Sequence, residues 1–232
     1  MLQASPARFA GLECSPEDLS MKLVVALVTA ALGLSACGDT LDNTNHAALF
    51  ALAPENVRAD IQAADRHVLV VRHALKVSPD CNAMDCPLSP EGDLMVERLT
   101  ALIGDTPVDR AFSSAACRTR LTAAAGGIEV VAHQAVDGYA VGCLDGETVD
   151  RVRADAYADV DAAETGWTLV GEHSNTSCLW MSAYAGPEAA HAAGCDGEGR
   201  LPEDAYGDIF WLYGTGEDWS LTVLPDAFSI SG

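Results

Sequence analysis

His67-Val68-Leu69-Val70-Val71-Arg72-His73-Ala74 decides how the chain is read. Four consecutive apolar residues, three of them valine, predict a buried strand, most naturally a parallel one covered on both faces. The strand ends abruptly in a cation and an imidazole. Open α/β sheets bind their ligands at the carboxyl ends of the strands, so Arg72 and His73 stand where a ligand belongs. His73 can serve as a nucleophile, and Arg72 can hold the oxygens of an anionic group under attack. An isolated Arg-His pair would more often be a surface ion pair beside a loop histidine. The test is whether other strand ends supply the remaining parts of such a site.

Outward from this strand, elements alternate. Ser89 as N-cap and Pro90 at the first helical position open a helix whose apolar residues Met95, Leu99, Leu102 and Ile103 share one face, and Gly104 stops it. Val108 to Ser113 predicts a second strand, Ser114 to Ala125 a helix ended by Gly126-Gly127, and Ile128 to Val131 a short third strand. Val149, Val152, Ala156 and Val160 mark an amphipathic helix. Trp167 to Gly171 predicts a fourth strand, followed by a helix to Ala185 closed at Gly186-Pro187. Ile209 to Tyr213 and Trp219 to Leu224 read as a final pair of strands. The expected fold class is α/β, a three-layer α/β/α sandwich with a mostly parallel central sheet.

Two further strand ends carry basic groups. The second leads into a helix with Arg118 in its first turn, where guanidinium and helix N-terminus can face one anion. The fourth delivers His173. Each is weak alone; together with Arg72 and His73 they form a pattern expected of phosphoryl transfer.

These residues fall into ordered motifs. Arg72-His73-Ala74, Leu88-Ser89-Pro90-Glu91-Gly92, Ser113-Ser114 through Arg118 to Thr122-Ala123, His173-Ser174-Asn175-Thr176 and Tyr206-Gly207-Asp208-Ile209-Phe210 resemble those of the histidine phosphatase superfamily, with its phosphoglycerate-mutase-like fold, in the smaller branch. The resemblance spans about residues 66 to 225. It implies that His73 accepts the phosphoryl group, with Arg72, Arg118 and a protonated His173 around its oxygens, and that water then hydrolyses the phosphohistidine. It implies a small phosphorylated substrate and neither metal nor other cofactor. The chain departs from the family at Ala74 for Gly, at Leu75 for Glu and at Glu172 for Gly. The general acid stays open among Asp145, Glu147 and Glu172. Strand alternation turns Glu172 away from His173, so Glu172→Gly is expected to change turnover little. A protein that only binds a phosphorylated ligand, and a mutase, are the alternative readings.

Composition limits partners. Of 232 residues, 49% are hydrophobic and 20% charged, which fits a globular body. Thirteen Lys and Arg against 34 Asp and Glu give a net charge of -21, which disfavours nucleic acid. Residues 1–20 read as a mis-assigned extension, because Glu13, Glu17 and Asp18 precede the basic start at Met21-Lys22. Leu23 to Leu34 is an apolar run of signal-peptide length, and Leu34-Ser35-Ala36-Cys37 looks like a bacterial lipobox with Cys37 as the lipidated residue. Residues 21–36 are thus expected to be a signal peptide and 37–56 a tether. Residues 57–232 would form the domain, held by its anchor on the periplasmic side of the outer membrane. Six cysteines then remain for disulfides in an exported protein. Among the pairings open to them, the sequential set is expected: Cys81 with Cys86, Cys117 with Cys143, and Cys178 with Cys195.

Overall fold

The computed structural model describes residues 47–104, 106–134 and 140–230. Cys37 and the leader expected around it lie outside the described residues. Strand β1 (Arg66–Arg72) is enclosed along its whole length. It runs beside β4 (Gly166–Glu172) in parallel and beside β5 (Ile209–Thr215) antiparallel. With β2 (Val108–Ser114), β3 (Val131–His133) and β6 (Asp218–Leu224) the sheet has the order β3-β2-β4-β1-β5-β6. The β3-β2, β2-β4 and β4-β1 pairs are parallel, and the last two antiparallel. The expected α/β/α architecture with a mostly parallel sheet is present.

Alternation along the strands divides the core into two layers. Leu69, Val71, Trp167, Leu169 and Trp211 face one way, against α1 (Ala47–Leu52) and α3 (Pro90–Ile103). Val68, Val70, Val170, Phe210 and Leu212 face the other way, against α5 (Arg153–Ala162) and α6 (Ser174–Ala192). Helix α2 (Arg58–Ala63) buries Ile61 just ahead of β1. Packing begins earlier than the expected tether allows: Leu49 is fully enclosed, and the Phe50 ring meets Trp211 edge-on at 5.2 Å. The short apolar run Ala47–Leu52 is helical because the sheet face offers it a surface.

Local departures have local causes. The helix after β2, α4 (Cys117–Ala123), begins three residues later than Ser114, because Ser114 still belongs to β2 and Thr119 Oγ1 donates to the Ser114 and Ala116 carbonyls. Strand β3 covers 131–133 rather than 128–131, since pairing with Phe112 to Ser114 selects that register. The helix after His173 is interrupted at Gly186 (φ 85°, ψ 161°), as expected, but turns on to Ala192 with Pro187 starting the new segment. The three disulfides are the sequential set.

Candidate active site

Ser89 Oγ caps α3 by accepting from Gly92 N at 3.0 Å. A Cβ on Gly92 would collide with the Leu75 carbonyl, so that glycine lets the helix start lie directly on the loop after β1. Gly171 does the same for α4, whose Thr119 carbonyl occupies the place of a Cβ. Close backbone approach at these two points brings Arg118 to the ends of β1 and β4. Thr122 completes the join, its Oγ1 accepting from Ala74 N at 3.0 Å.

The strand ends open into a cavity of about 840 Å³ whose walls include Arg72, His73, Arg118 and His173. All four of the residues expected to work together are there. The His73 and His173 rings stand 5.3 Å apart at 74°. His73 is only 4% exposed, and its Nδ1 lies 2.8 Å from the Ala74 carbonyl. A carbonyl can only accept, so Nδ1 carries the hydrogen and Nε2 keeps the lone pair. Burial, with the charges of His173, Arg118 and Arg72, pushes the His73 pKa down to about 2 against the opposing Ala74 hydrogen bond. His73 is therefore a neutral imidazole across the physiological range.

Arg72 is held from the far side. Its Nη1 donates to the Pro202 and Glu203 carbonyls at 2.8 and 2.9 Å, and its Nη2 to Tyr206 Oη at 3.0 Å. The guanidinium also lies over the Tyr206 ring at 3.9 Å. Arg118 Nη1 donates to the Ala83 carbonyl at 2.9 Å, in the loop closed by Cys81–Cys86. The Nε atoms of both arginines are buried and have no protein partner. Two enclosed cationic donors without acceptors beside a neutral imidazole describe a receptor for an oxyanion. Lys76 joins them on the wall, its ammonium fixed by Asn82 Oδ1 at 2.8 Å. Tyr206 and Lys76 escaped the sequence reading as site residues. Tyr206 stood inside a motif without a chemical reason, and Lys76 looked like an ordinary loop cation.

One expectation needs correction, and another holds only for the occupied site. His173, expected to be protonated around the phosphoryl oxygens, has its pKa in the empty site lowered to about 4 by burial and then the Arg118 charge, against the raising influence of Glu172. It is neutral in the free site near pH 7. The carboxylates expected to include the general acid are elsewhere. Asp145 is exposed on a loop outside the cavity. Glu147 is committed to Arg120 Nη2 at 2.6 Å, a hydrogen bond that lowers its pKa. Glu172 is fully buried and also absent from the cavity wall. The carboxylates on that wall are Glu91 and Glu203.

The family model of the histidine phosphatase superfamily (branch 1) matches residues 68–177. Among solved structures, phosphoglycerate mutase from Bacillus anthracis is similar at 11% identity and a TM-score of 0.49, over 72% of this chain and 97% of that one. The protein histidine phosphatase SixA, in complex with tungstate, is similar at 16% identity and 0.46, over 69% and 97%. The product of the open reading frame Rv3214 from Mycobacterium tuberculosis gives 17% and 0.47, over 69% and 97%. No match to the chain was found among curated proteins. The matched segment runs from β1 into the first turn of α6 and carries Arg72, His73, Arg118 and His173; over that segment the chain is similar to the histidine phosphatase superfamily, branch 1.

Proposed function

We propose that this protein is a metal-independent phosphatase that hydrolyses phosphate monoesters through a phosphohistidine on His73. The observation that carries the reading is the buried His73 ring, its Nδ1 committed to Ala74, on a cavity wall shared with Arg72 and Arg118, whose buried Nε donors have no protein partner. Nε2 attacks phosphorus in line, the P–O bond to the leaving group breaks, and the leaving oxygen takes a proton from Glu91, Glu203 or water. Water then attacks the phosphohistidine, releasing inorganic phosphate and restoring the imidazole. Arg72 and Arg118 offset charge on the equatorial oxygens, which is the main catalytic contribution in phosphoryl transfer. An entering phosphate dianion supplies the negative charge that His173 lacks in the free site, so substrate binding draws a proton onto it.

The test is to trap the intermediate. Rapid quenching during turnover of a phosphate ester should leave acid-labile, base-stable phosphate on the peptide containing His73. Phosphate bound without any such adduct, and without turnover, would favour a protein that only holds a phosphorylated ligand.

The same reading places the protein in the bacterial cell envelope, lipid-anchored at Cys37 and facing the periplasm from the outer membrane. Its support is the Leu34-Ser35-Ala36-Cys37 order after the apolar run. Cells given labelled fatty acid should label the wild-type chain, whereas Cys37→Ser should stay an unlabelled, unprocessed precursor. Label retained by Cys37→Ser would refute the anchor.

A further inference from the structure

Glu172 is a carboxylate with no exposed surface, in a strand position next to the reacting histidine. Its Oε1 accepts from Trp180 Nε1 at 2.8 Å and faces His133 Nε2 at 3.0 Å, with Arg153 Nε at 3.8 Å. Its Oε2 accepts from Thr176 Oγ1 at 2.6 Å and from Ser114 Oγ. These donors come from the ends of β2 and β3 and from the first half of α5 and α6. One carboxylate thus joins β2, β3, α5 and α6 without entering the cavity. Burial works to raise its pKa, but His133, Arg153 and the Ser114 hydroxyl outweigh this and keep it ionised.

Two of its connections lead to the reacting pair. The Glu172 carbonyl accepts from His73 N at 2.7 Å. Thr176 Oγ1, which donates to the carboxylate, accepts from His173 N at 2.9 Å. A buried ion pair is a poor device for stability alone, since apolar residues of similar volume often serve at least as well. What this one provides is directional: several bonds converge on the turn that carries His173.

We propose that Glu172 is a positioning residue: through the Thr176 hydroxyl it fixes the turn from β4 into α6, and with it the His173 ring beside His73. The inference rests on His73 and His173 being the reacting pair. It revises the expectation that Glu172→Gly would matter little; the side chain does turn away from the site, but the site leans on it.

Two substitutions separate positioning from mere packing. Thr176→Val keeps the shape and removes the relay. Glu172→Gln keeps the relay and removes the charge. An amide carbonyl at the Oε1 position still accepts from Trp180, and an amide nitrogen at the Oε2 position donates to hydroxyls that rotate to accept it. Arg153 then loses its counter-charge and His133 its carboxylate partner, so Glu172→Gln should lower Tm more than Thr176→Val does. Turnover should show the opposite order. Thr176→Val should lower kcat about tenfold or more with a smaller change in KM, as expected when a catalytic group is misplaced. Thr176→Ser should recover most of that loss, and Glu172→Gln should keep kcat within a few fold. If kcat instead follows Tm across the three variants, the network is structural and the proposal is overturned. Should Thr176→Val not fold, near-complete loss of kcat in a folded Glu172→Gln would overturn it as well. The wild-type trapping experiment keeps the two readings apart: absence of phosphohistidine on His73 removes the reaction itself, whereas its presence with unaltered kcat in Thr176→Val removes only the relay.

Discussion

His73→Ala is expected to abolish turnover of p-nitrophenyl phosphate, by about four to six orders of magnitude in kcat. Under the proposed mechanism, removing the nucleophile deletes the covalent route and not merely one favourable contact. The fold should survive, because the truncation enlarges an existing cavity and leaves no charge unpaired; the backbone bond from residue 73 to the Glu172 carbonyl stays. Circular dichroism with steady-state kinetics on the purified domain makes the measurement. Residual turnover within about tenfold of wild type would assign the chemistry to another group. Inorganic phosphate should still bind to the variant, since Arg72 and Arg118 keep their orphaned donors.

Acidification from pH 7 to 5 is expected to destabilise the fold steeply, and the two site histidines are the cause. Both have folded-state pKa values below the ordinary 6.5. Burial, His173 and the two arginines hold His73 at about 2; burial and Arg118 hold His173 at about 4. In the unfolded chain both take up a proton as pH falls through about 6.5, and the folded chain takes up neither until lower pH. Stability therefore rises with pH across this window, since the unfolded state binds more protons there. Each histidine contributes at most about 1.4 kcal/mol per pH unit, and solvent at the cavity mouth reduces the share of His173. A loss of about 2 to 3 kcal/mol by pH 5 is large against a typical 5 to 15 kcal/mol total. Denaturant unfolding at pH 7, 6 and 5 should give a steeper pH dependence for wild type than for a His73→Asn/His173→Asn variant. Equal slopes would show that the histidines titrate normally in the folded protein. Glu172 acts at lower pH: its folded pKa is depressed, so its contribution is present above about 4.5 and fades only below that. Saturating phosphate should flatten the wild-type slope, because a bound anion lets the folded site accept protons.

The fold and the common cavity of Arg72, His73, Arg118 and His173 were legible because each rests on short-range chemistry. The run Val68–Val71 has to be buried, Ser89-Pro90 opens a helix, and parallel strands present their carboxyl ends together. Arg72, His73, Arg118 and His173 inherit their meeting place from that rule, and the sequential disulfides join segments separated by 5, 26 and 17 positions. Boundaries were less legible. Val131–His133 became the strand in place of 128–131 because a three-residue edge strand takes its register from its partner.

Other properties depend on residues far apart in the chain, and local patterns do not encode them. Tyr206 reaches Arg72 across 134 positions, and His133 reaches Glu172 from another strand. Asp145 and Glu147 stood at a plausible distance in sequence, yet their loop turns one to solvent and the other to Arg120. The protonation state of His173 in the free site was not legible for the same reason. Its identity and its place at a strand end follow from the amino-acid sequence, whereas its charge depends on how much water the packed elements exclude and which cations they bring near. Strand alternation alone turned Glu172 away from the cavity. Only the tertiary structure decided what it meets there: hydrogen-bond donors from β2 and α6, and basic side chains from β3 and α5, converging where a lone carboxylate could not otherwise stay charged.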